Sequence, residues 1–174
     1  VTDLIKPGIL VRYMPQAMAS KVPADLQQPL LANRLSTKVL MYNEEAHPNG
    51  SPVKNLWELT QPQWRGKVVM VDPLVRGDYL DFMTEVSLRK DEMFKAYQEL
   101  NGKPLQLVGR ETAGERWIKD FLANQPVFVA NTDAAADAIG KLGQKTPPVG
   151  IATYSDRRDN KDRGRALQVA KGVQ

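Results

Sequence analysis

The chain has 174 residues, of which 42% are hydrophobic and 25% are charged, and it contains no cysteine. A chain of this length suits one domain, or one domain with an appendage, and is long enough to bury a hydrophobic core. The absence of cysteine excludes a disulfide framework and thiolate metal sites, and no apolar run approaches the ~20 residues that a transmembrane helix needs.

The formal net charge is +4, and the basic excess lies near the end of the chain. The basic residues there are Arg157, Arg158, Lys161, Arg163, Arg165 and Lys171, and three acids lie among them, Asp156, Asp159 and Asp162. This segment is either a patch that faces an anion or a partner, or a solvated face. Nucleic-acid binding is disfavoured, because it calls for interleaved aromatic residues and Tyr154 is the aromatic residue nearby.

Residues 1–35 are interrupted by four prolines, which prevent a long helix. We therefore predict an extended leader segment over residues 1–35 and one α/β unit over residues 36–174.

Strands and helices alternate in this second part of the chain. We predict a strand over residues 36–43, a short helix over residues 56–59 and a buried strand over residues 67–71 that ends at Asp72-Pro73. Apolar residues at helical spacing then predict two helices, the second of which stops at Asn101-Gly102.

The alternation continues to the end of the chain. Thr112 and Glu115 match a capping box at the start of a third helix, and a second buried strand is expected over residues 127–130. An alanine-rich helix follows, then a short strand over residues 149–153 and a last helix over residues 162–170. This order predicts an α/β fold, a three-layer sandwich with a mixed, partly parallel sheet.

Polar residues follow each of the three buried strands. In open α/β sheets, ligands gather beyond the carboxyl ends of the strands, where helix N-termini suit anions. The predicted ligand-facing set is therefore Asp72, Arg76, Gly77, Asp78, Asn131, Thr132, Asp133, Tyr154 and Ser155.

Each of these residues also has a possible structural role. In the binding interpretation, Arg76 pairs with an anion, Gly77 lets the backbone approach it, and Thr132 donates at a helix start. In the structural interpretation, Asp78 and Thr132 are N-caps, and Asp72-Pro73 is a common way to end a strand.

Catalysis has little support in the sequence. His47 is the only histidine and lies in a Pro/Gly loop, so a serine–histidine–aspartate triad would depend on it. Asp72 and Asp133 could form an acid/base pair, or an oxygen-rich metal site with Tyr154, but nothing local selects either arrangement. We expect a protein that is not an enzyme.

Several motifs resemble one known family, the ferric-iron class of ABC-transporter solute-binding proteins. They are Tyr42-Asn43, then Asn55-Leu56-Trp57-Glu58-Leu59, then the run from Trp64-Arg65-Gly66-Lys67-Val68 to Asp72-Pro73. Residues 117–124 and 127–131 are similar to the family's helix and strand before its ligand loop. The resemblance covers about residues 36–155 of the sequence.

The resemblance implies the type 2 periplasmic binding fold, in which two α/β lobes close on a solute. It implies a periplasmic protein that delivers a small molecule to an inner-membrane ABC permease, without binding nucleic acid or spanning the membrane. Because full members are roughly twice as long, the chain is expected to be a fragment. Residues 36–174 would be mainly the second lobe, and residues 1–35 a leader or inter-lobe segment.

The expected ligand departs from the family pattern. Ferric members place an adjacent tyrosine pair where this sequence has Thr132-Asp133, so we expect no cofactor and an anionic solute in place of iron, with a metal–anion complex as an alternative. The same fold also serves as the ligand-sensing domain of regulators or receptors, which is the alternative function. A metal-dependent enzyme that uses Asp72 and Asp133 is a further alternative.

Overall fold

The computed structural model describes residues 5–11, 13–27 and 37–173. The chain divides into two compact units, Val1–Ser36 and Thr37–Gln174. In the first unit, the one-turn helix α1 (Gln16–Ala19) precedes a 3-10 helix at Ala24–Gln27. The Gln27 side-chain amide joins the two elements by donating to the carbonyl oxygens of Ala19 and Val22.

The second unit is built on one five-stranded sheet. Its strands are β1 (Lys38–Asn43), β2 (Val68–Val71), β3 (Val127–Val129), β4 (Val149–Thr153) and β5 (Leu167–Val169). Across the sheet the order is β3-β2-β4-β1-β5. The strands β3, β2 and β4 are parallel, whereas β1 runs antiparallel to both of its neighbours, β4 and β5. The sheet is therefore mixed.

Helices cover both faces of this sheet. They are α2 (Gly77–Leu88), α3 (Lys90–Asn101), α4 (Ala113–Ala123), α5 (Thr132–Gly140) and the short α6 (Asn160–Arg163). Three 3-10 helices lie at Leu56–Thr60, Pro62–Trp64 and Tyr154–Asp159. Helix α5 packs directly on the strands, while α2, α3 and α4 pack on one another, and α3 and α4 also pack on the 3-10 helix at Leu56–Thr60. The predicted three-layer α/β fold is confirmed.

The close packing of α5 depends on Gly150 in the centre of the sheet. A Cβ atom at this position would collide with the Val69 carbonyl oxygen and would lie 2.6 Å from Cδ1 of Ile139 on α5. Glycine therefore allows strand and helix to approach without strain. On the other side, Trp117 is fully buried and its indole N–H donates to the Leu56 carbonyl oxygen at 2.9 Å.

Several local predictions are confirmed. The strands predicted over residues 36–43, 67–71 and 149–153 correspond to β1, β2 and β4, and the capping box starts α4. The Thr112 hydroxyl accepts from the Glu115 N–H, and the Glu115 carboxylate accepts from the Thr112 N–H at 2.7 Å. The short helix near residues 56–59 is present as a 3-10 helix.

Two predictions are wrong. The strand at residues 127–130 is not buried, because β3 is an edge strand with one neighbour, and Val127 and Phe128 are 42% and 40% exposed. The last helix does not run over residues 162–170, because α6 ends at Gly164, whose φ of 61° is left-handed. The following residues form β5, in which Leu167 pairs with Asn43.

The boundary between the two units falls between Ser36 and Thr37. The assignment of residues 1–35 to a leader or inter-lobe segment stays a prediction. Among the residues that the structure describes, no helix combines the length and hydropathy needed to cross a bilayer.

Candidate functional site

The sheet topology brings the polar strand ends to one edge. Because β3, β2 and β4 are adjacent and parallel, their carboxyl ends lie side by side, followed by Asp72, Asn131 and Tyr154. The antiparallel β1 begins where β4 ends, since Lys38 pairs directly with Thr153. This edge therefore also receives the side chain of Lys38, which projects from the same face of the sheet as Thr153.

A group of five side chains at this edge, which we call the Lys38 cluster, consists of Lys38, Arg76, Asp78, Tyr79 and Thr153. The Lys38 ammonium lies 2.5 Å from an Asp78 oxygen, 3.1 Å from the Thr153 hydroxyl and 4.4 Å from the centre of the Tyr79 ring. Arg76 contacts the same Asp78 carboxylate through two nitrogens, each at 3.3 Å. One carboxylate thus holds two cations.

The two cations differ in their access to solvent. The Lys38 side chain is 7% exposed, whereas that of Arg76 is 44% exposed and that of Asp78 is 43% exposed. Desolvation alone would raise the pKa of Asp78, but the hydrogen bonds from Lys38 and Arg76 outweigh it and hold this pKa below its ordinary value. The carboxylate is therefore ionised at neutral pH, and Arg76 is the cation that a solute can reach.

The Tyr79 ring packs against the Lys38 ammonium on the buried side of the cluster. Its side chain is fully buried, and its hydroxyl has no hydrogen bond of good geometry to any residue that the structure describes. Burial raises the pKa of Tyr79 to about 12, although the nearby Thr153 hydroxyl offsets part of this effect. Tyr79 is therefore a neutral phenol in the physiological pH range.

Asp156 lies just beyond the end of β4. Its carboxylate accepts a hydrogen bond from the Thr153 N–H at 3.1 Å and completes a capping box for the 3-10 helix at Tyr154–Asp159. Burial raises the pKa of Asp156, although that hydrogen bond and the charges of Lys38 and Arg165 act in the opposite direction. Asp156 therefore links the Lys38 cluster electrostatically to the charges around α5.

The start of α5 carries a second group of charges. Arg165 is buried, with its side chain 1% exposed, and pairs with Asp137 at 2.6 Å and with Asp133 at 3.5 Å. Arg163, which is 55% exposed, lies 3.7 Å from Asp133. The accessible guanidinium groups near this edge therefore include those of Arg76 and Arg163, each held by an aspartate.

The structure gives several predicted site residues specific local roles. Asp72 forms a turn in which its carboxylate accepts from the Leu74 N–H at 2.8 Å, and Tyr154 is 49% exposed with Arg157 stacked at 5.8 Å. Ser155, which follows Tyr154, is half-buried. Asp72 and Asp133 have different partners, so their contacts give no support to an acid/base pair.

The predicted helix caps need correction. Asn131, not Thr132, is the N-cap of α5, and its side chain accepts from the Ala134 N–H at 2.9 Å, which leaves Thr132 as the first helical residue. Asp78 is not the N-cap of α2 either. The cap position is held by Arg76 without a side-chain hydrogen bond, and Gly77 and Asp78 begin the helix.

Sequence reasoning missed Lys38 and Arg165 as members of the site and treated Asp156 only as a surface acid. The direction of β1 and the presence of β5 decide where the two basic residues lie, and neither could be read from local patterns. A lysine at the first position of a strand, directly before the apolar run Val39-Leu40-Met41, was the one available signal for Lys38.

The acidic and histidine side chains near the site are dispersed. Among the described residues, no group of three or more acidic, histidine or cysteine side chains is arranged to hold a metal ion. His47 lies in a turn against the Tyr42 ring, with the ring centres 6.4 Å apart.

Comparison with known proteins identifies the fold. No protein-family model and no curated protein match this sequence, but solved structures do. Iron-bound HitA from Pseudomonas aeruginosa aligns with a TM-score of 0.58 at 19% identity, over 96% of this chain and 48% of that one. An extracellular solute-binding protein from Bordetella parapertussis aligns with a TM-score of 0.59 at 10% identity, over 99% of this chain and 56% of that one. The chain has the fold of a solute-binding-protein lobe.

This lobe fold is shared with a signalling protein. A two-component system protein that mediates signal transduction aligns with a TM-score of 0.53 at 15% identity, over 94% of this chain and 47% of that one. The lobe thus spans about half the length of the solved structures that it matches.

Proposed function

We propose that the chain is part of a periplasmic solute-binding protein, which captures a small anionic solute and delivers it to an inner-membrane ABC permease. The fold supports this role, because two of the matched structures are an iron-bound HitA and an extracellular solute-binding protein. The observation that carries the proposal is the edge of the sheet where the carboxyl ends of β2, β3 and β4 meet the accessible Arg76.

An anion is favoured by the donors at this edge. Arg76 and Arg163 supply accessible positive charge, and the first turns of α2 and α5 add backbone N–H groups and the positive ends of two helix dipoles. Gly77 and Thr132 begin these helices, so the backbone at Gly77 and the hydroxyl at Thr132 are proposed contacts. Asp78 and Asp133 would act through the guanidinium groups that they hold, and Asp72, Asn131, Tyr154 and Ser155 complete the proposed set.

Ferric iron is a poorer fit to these residues than an anion. Tyr79 is fully buried beside the Lys38 ammonium, and Thr132-Asp133 stand where the resembled family has its tyrosine pair. Carboxylates, phosphate esters and phosphonates are therefore the solute classes that we propose. A metal–anion complex is the alternative.

The test is a set of binding measurements on the chain with inorganic phosphate and citrate as probes. One lobe offers half of a cleft, so weak binding is expected. At a probe concentration ten times Kd, the free energy of unfolding should rise by about 1.4 kcal/mol. Arg76→Gln should abolish this rise, because it removes the accessible guanidinium without a large change in size.

Arg89→Gln is the matched control. Arg89 is the C-cap of α2 as Arg76 is its N-cap, and it also pairs with two carboxylate oxygens of an acid, Glu92. The proposal predicts that this variant binds the probes as the wild type does. Equal binding by the two variants, or no stabilisation of the wild type by either probe, contradicts the proposed site.

A second candidate function is ligand sensing. It is supported by the two-component system protein that shares the fold. Both roles use a ligand at the same edge, so binding does not separate them. The open reading frame that encodes the chain does: a DNA-binding, kinase or membrane-spanning segment supports sensing, and a secretion signal followed by a second lobe supports transport.

A further inference from the structure

The Asp78 carboxylate lies between two cations, Lys38 and Arg76, which differ in their exposure to solvent and in their distance from Asp78. Lys38 is almost fully buried and is held from three sides, by Asp78 at 2.5 Å, by the Thr153 hydroxyl at 3.1 Å and by the Tyr79 ring at 4.4 Å. Arg76 is half-exposed, and both of its contacts to Asp78 measure 3.3 Å. The short contact therefore belongs to the buried cation and the long contacts to the exposed one.

We propose that Asp78 is a built-in competitor that sets the affinity of the site for anions. Its carboxylate occupies the two-nitrogen face of Arg76 that an incoming phosphate or carboxylate would use. A bound anion replaces Asp78 on Arg76, while Asp78 stays on Lys38. The inference rests on the proposed anion-binding function and adds a specificity-determining residue to it.

Lys38 makes this replacement possible. A carboxylate that lost its only cation would have to be solvated by water. Asp78 avoids this cost, because it keeps its 2.5 Å contact with Lys38 when Arg76 turns to the bound anion. The buried lysine also cannot follow the solute, because Thr153 and Tyr79 hold it in place. Lys38 is accordingly a positioning residue that acts on the solute through Asp78.

The double variant Lys38→Met/Asp78→Asn separates this mechanism from a simple effect of net charge. It removes one positive and one negative charge, so the net charge stays that of the wild type, and it leaves no buried unpaired ion that would unfold the chain. A neutral amide in place of the Asp78 carboxylate would compete less for Arg76, because its oxygen can accept a hydrogen bond but carries no net charge. The double variant should therefore bind inorganic phosphate about two- to fivefold more tightly than the wild type, which is the worth of one partly exposed ion pair.

The single variants extend the test. Lys38→Met should weaken phosphate binding by a similar factor, because Asp78 is then left to Arg76 alone. Glu92→Gln is the control for loss of an acid, since Glu92 pairs with Arg89 at the other end of α2, and it should leave phosphate binding unchanged. Isothermal titration calorimetry on the full chain measures each Kd, and circular dichroism checks that each variant is folded.

A further measurement uses the wild type alone and so does not depend on whether the variants fold. In a phosphate titration followed by NMR, the Arg76 Nε–H signal should shift and the Lys38 ammonium signal should not. If the double variant binds phosphate no more tightly than the wild type, Asp78 does not compete with the anion. The proposed function still stands in that case, provided that Arg76→Gln abolishes binding. Absence of phosphate binding by the wild type overturns both.

Discussion

The guanidinium of Arg165 lies 2.6 Å from the carboxylate of Asp137, yet the first side chain is 1% exposed and the second is 54% exposed. The two ends of this ion pair therefore stand in different dielectric surroundings. Removal of the exposed partner leaves a charge in the protein interior, whereas removal of the buried partner leaves a charge in water.

Asp137→Ala should consequently destabilise the protein more than Arg165→Met. We expect Asp137→Ala to lower the free energy of unfolding by about 1–2 kcal/mol, less than the ~3–5 kcal/mol of a fully buried pair, because Asp133 remains 3.5 Å from Arg165. Arg165→Met keeps the packing of the stem and should cost less. Urea denaturation measures both, and a larger loss for Arg165→Met would contradict the explanation.

Asp156 should make the stability depend on pH in an unusual direction for an acid. Burial raises the pKa of Asp156 above its ordinary value of 3.8, so the native state holds this proton more tightly than the unfolded state does. The contribution of Asp156 to stability is therefore largest below the unfolded pKa and falls as the pH rises through the native pKa.

Asp156→Asn should remove this contribution and stabilise the protein at neutral pH, because the asparagine oxygen can still accept from the Thr153 N–H. Thermal unfolding followed from pH 4 to pH 7 provides the measurement. The difference in stability between variant and wild type should grow in favour of the variant as the pH rises, and a difference that shrinks would refute the assignment.

Gly150→Ala should be strongly destabilising. The new methyl group would collide with the Val69 carbonyl oxygen and the Ile139 side chain, so either β2 or α5 must move, at a cost of about 1–3 kcal/mol or more. Gly77→Ala is the matched control, because a Cβ there has no atom within 4 Å and alanine favours a helix start. Similar unfolding free energies for the two variants would disprove the packing account.

The capping box of α4 should contribute measurably to stability. Thr112→Ala removes the hydroxyl that accepts from the Glu115 N–H, and we expect a loss of about 1 kcal/mol in chemical denaturation. Thr84→Ala is a suitable control, since this exposed hydroxyl bonds the Leu80 carbonyl oxygen within α2 and caps nothing. The prediction fails if the control loses as much stability as Thr112→Ala.

Local sequence patterns predicted the parts of the fold that depend on local physics. Continuous apolar runs predicted β2 and β4, helical spacing predicted α2 and α3, and the Thr112–Glu115 pair predicted the start of α4. The convergence of the strand ends follows from the parallel arrangement of β3, β2 and β4, which the alternation of strands and helices indicates.

What the sequence could not supply depends on pairing across long distances in the chain. The alternation of side chains along β1 is the same for either strand direction, yet the direction decides that Lys38 lies beside Asp78 rather than at the opposite edge. Similarly, the three residues of β5 are too few to show a strand period, and only pairing with β1 defines them. The cap of α5 was missed by one position, because Asn131 and Thr132 are both suitable caps.

The position of β1 between β4 and β5 also bears on how the molecule acquires its fold. Lys38 and Thr153 are hydrogen-bonded partners separated by 115 residues, and among the residues that the structure describes β1 pairs with no strand that is nearer in the chain. During synthesis, β1 is thus made long before either neighbour exists, while β2 can find its neighbour β3 earlier. High sequence separation between paired strands slows folding, so completion of the sheet by β1 should be the late step and the one most dependent on protection from aggregation.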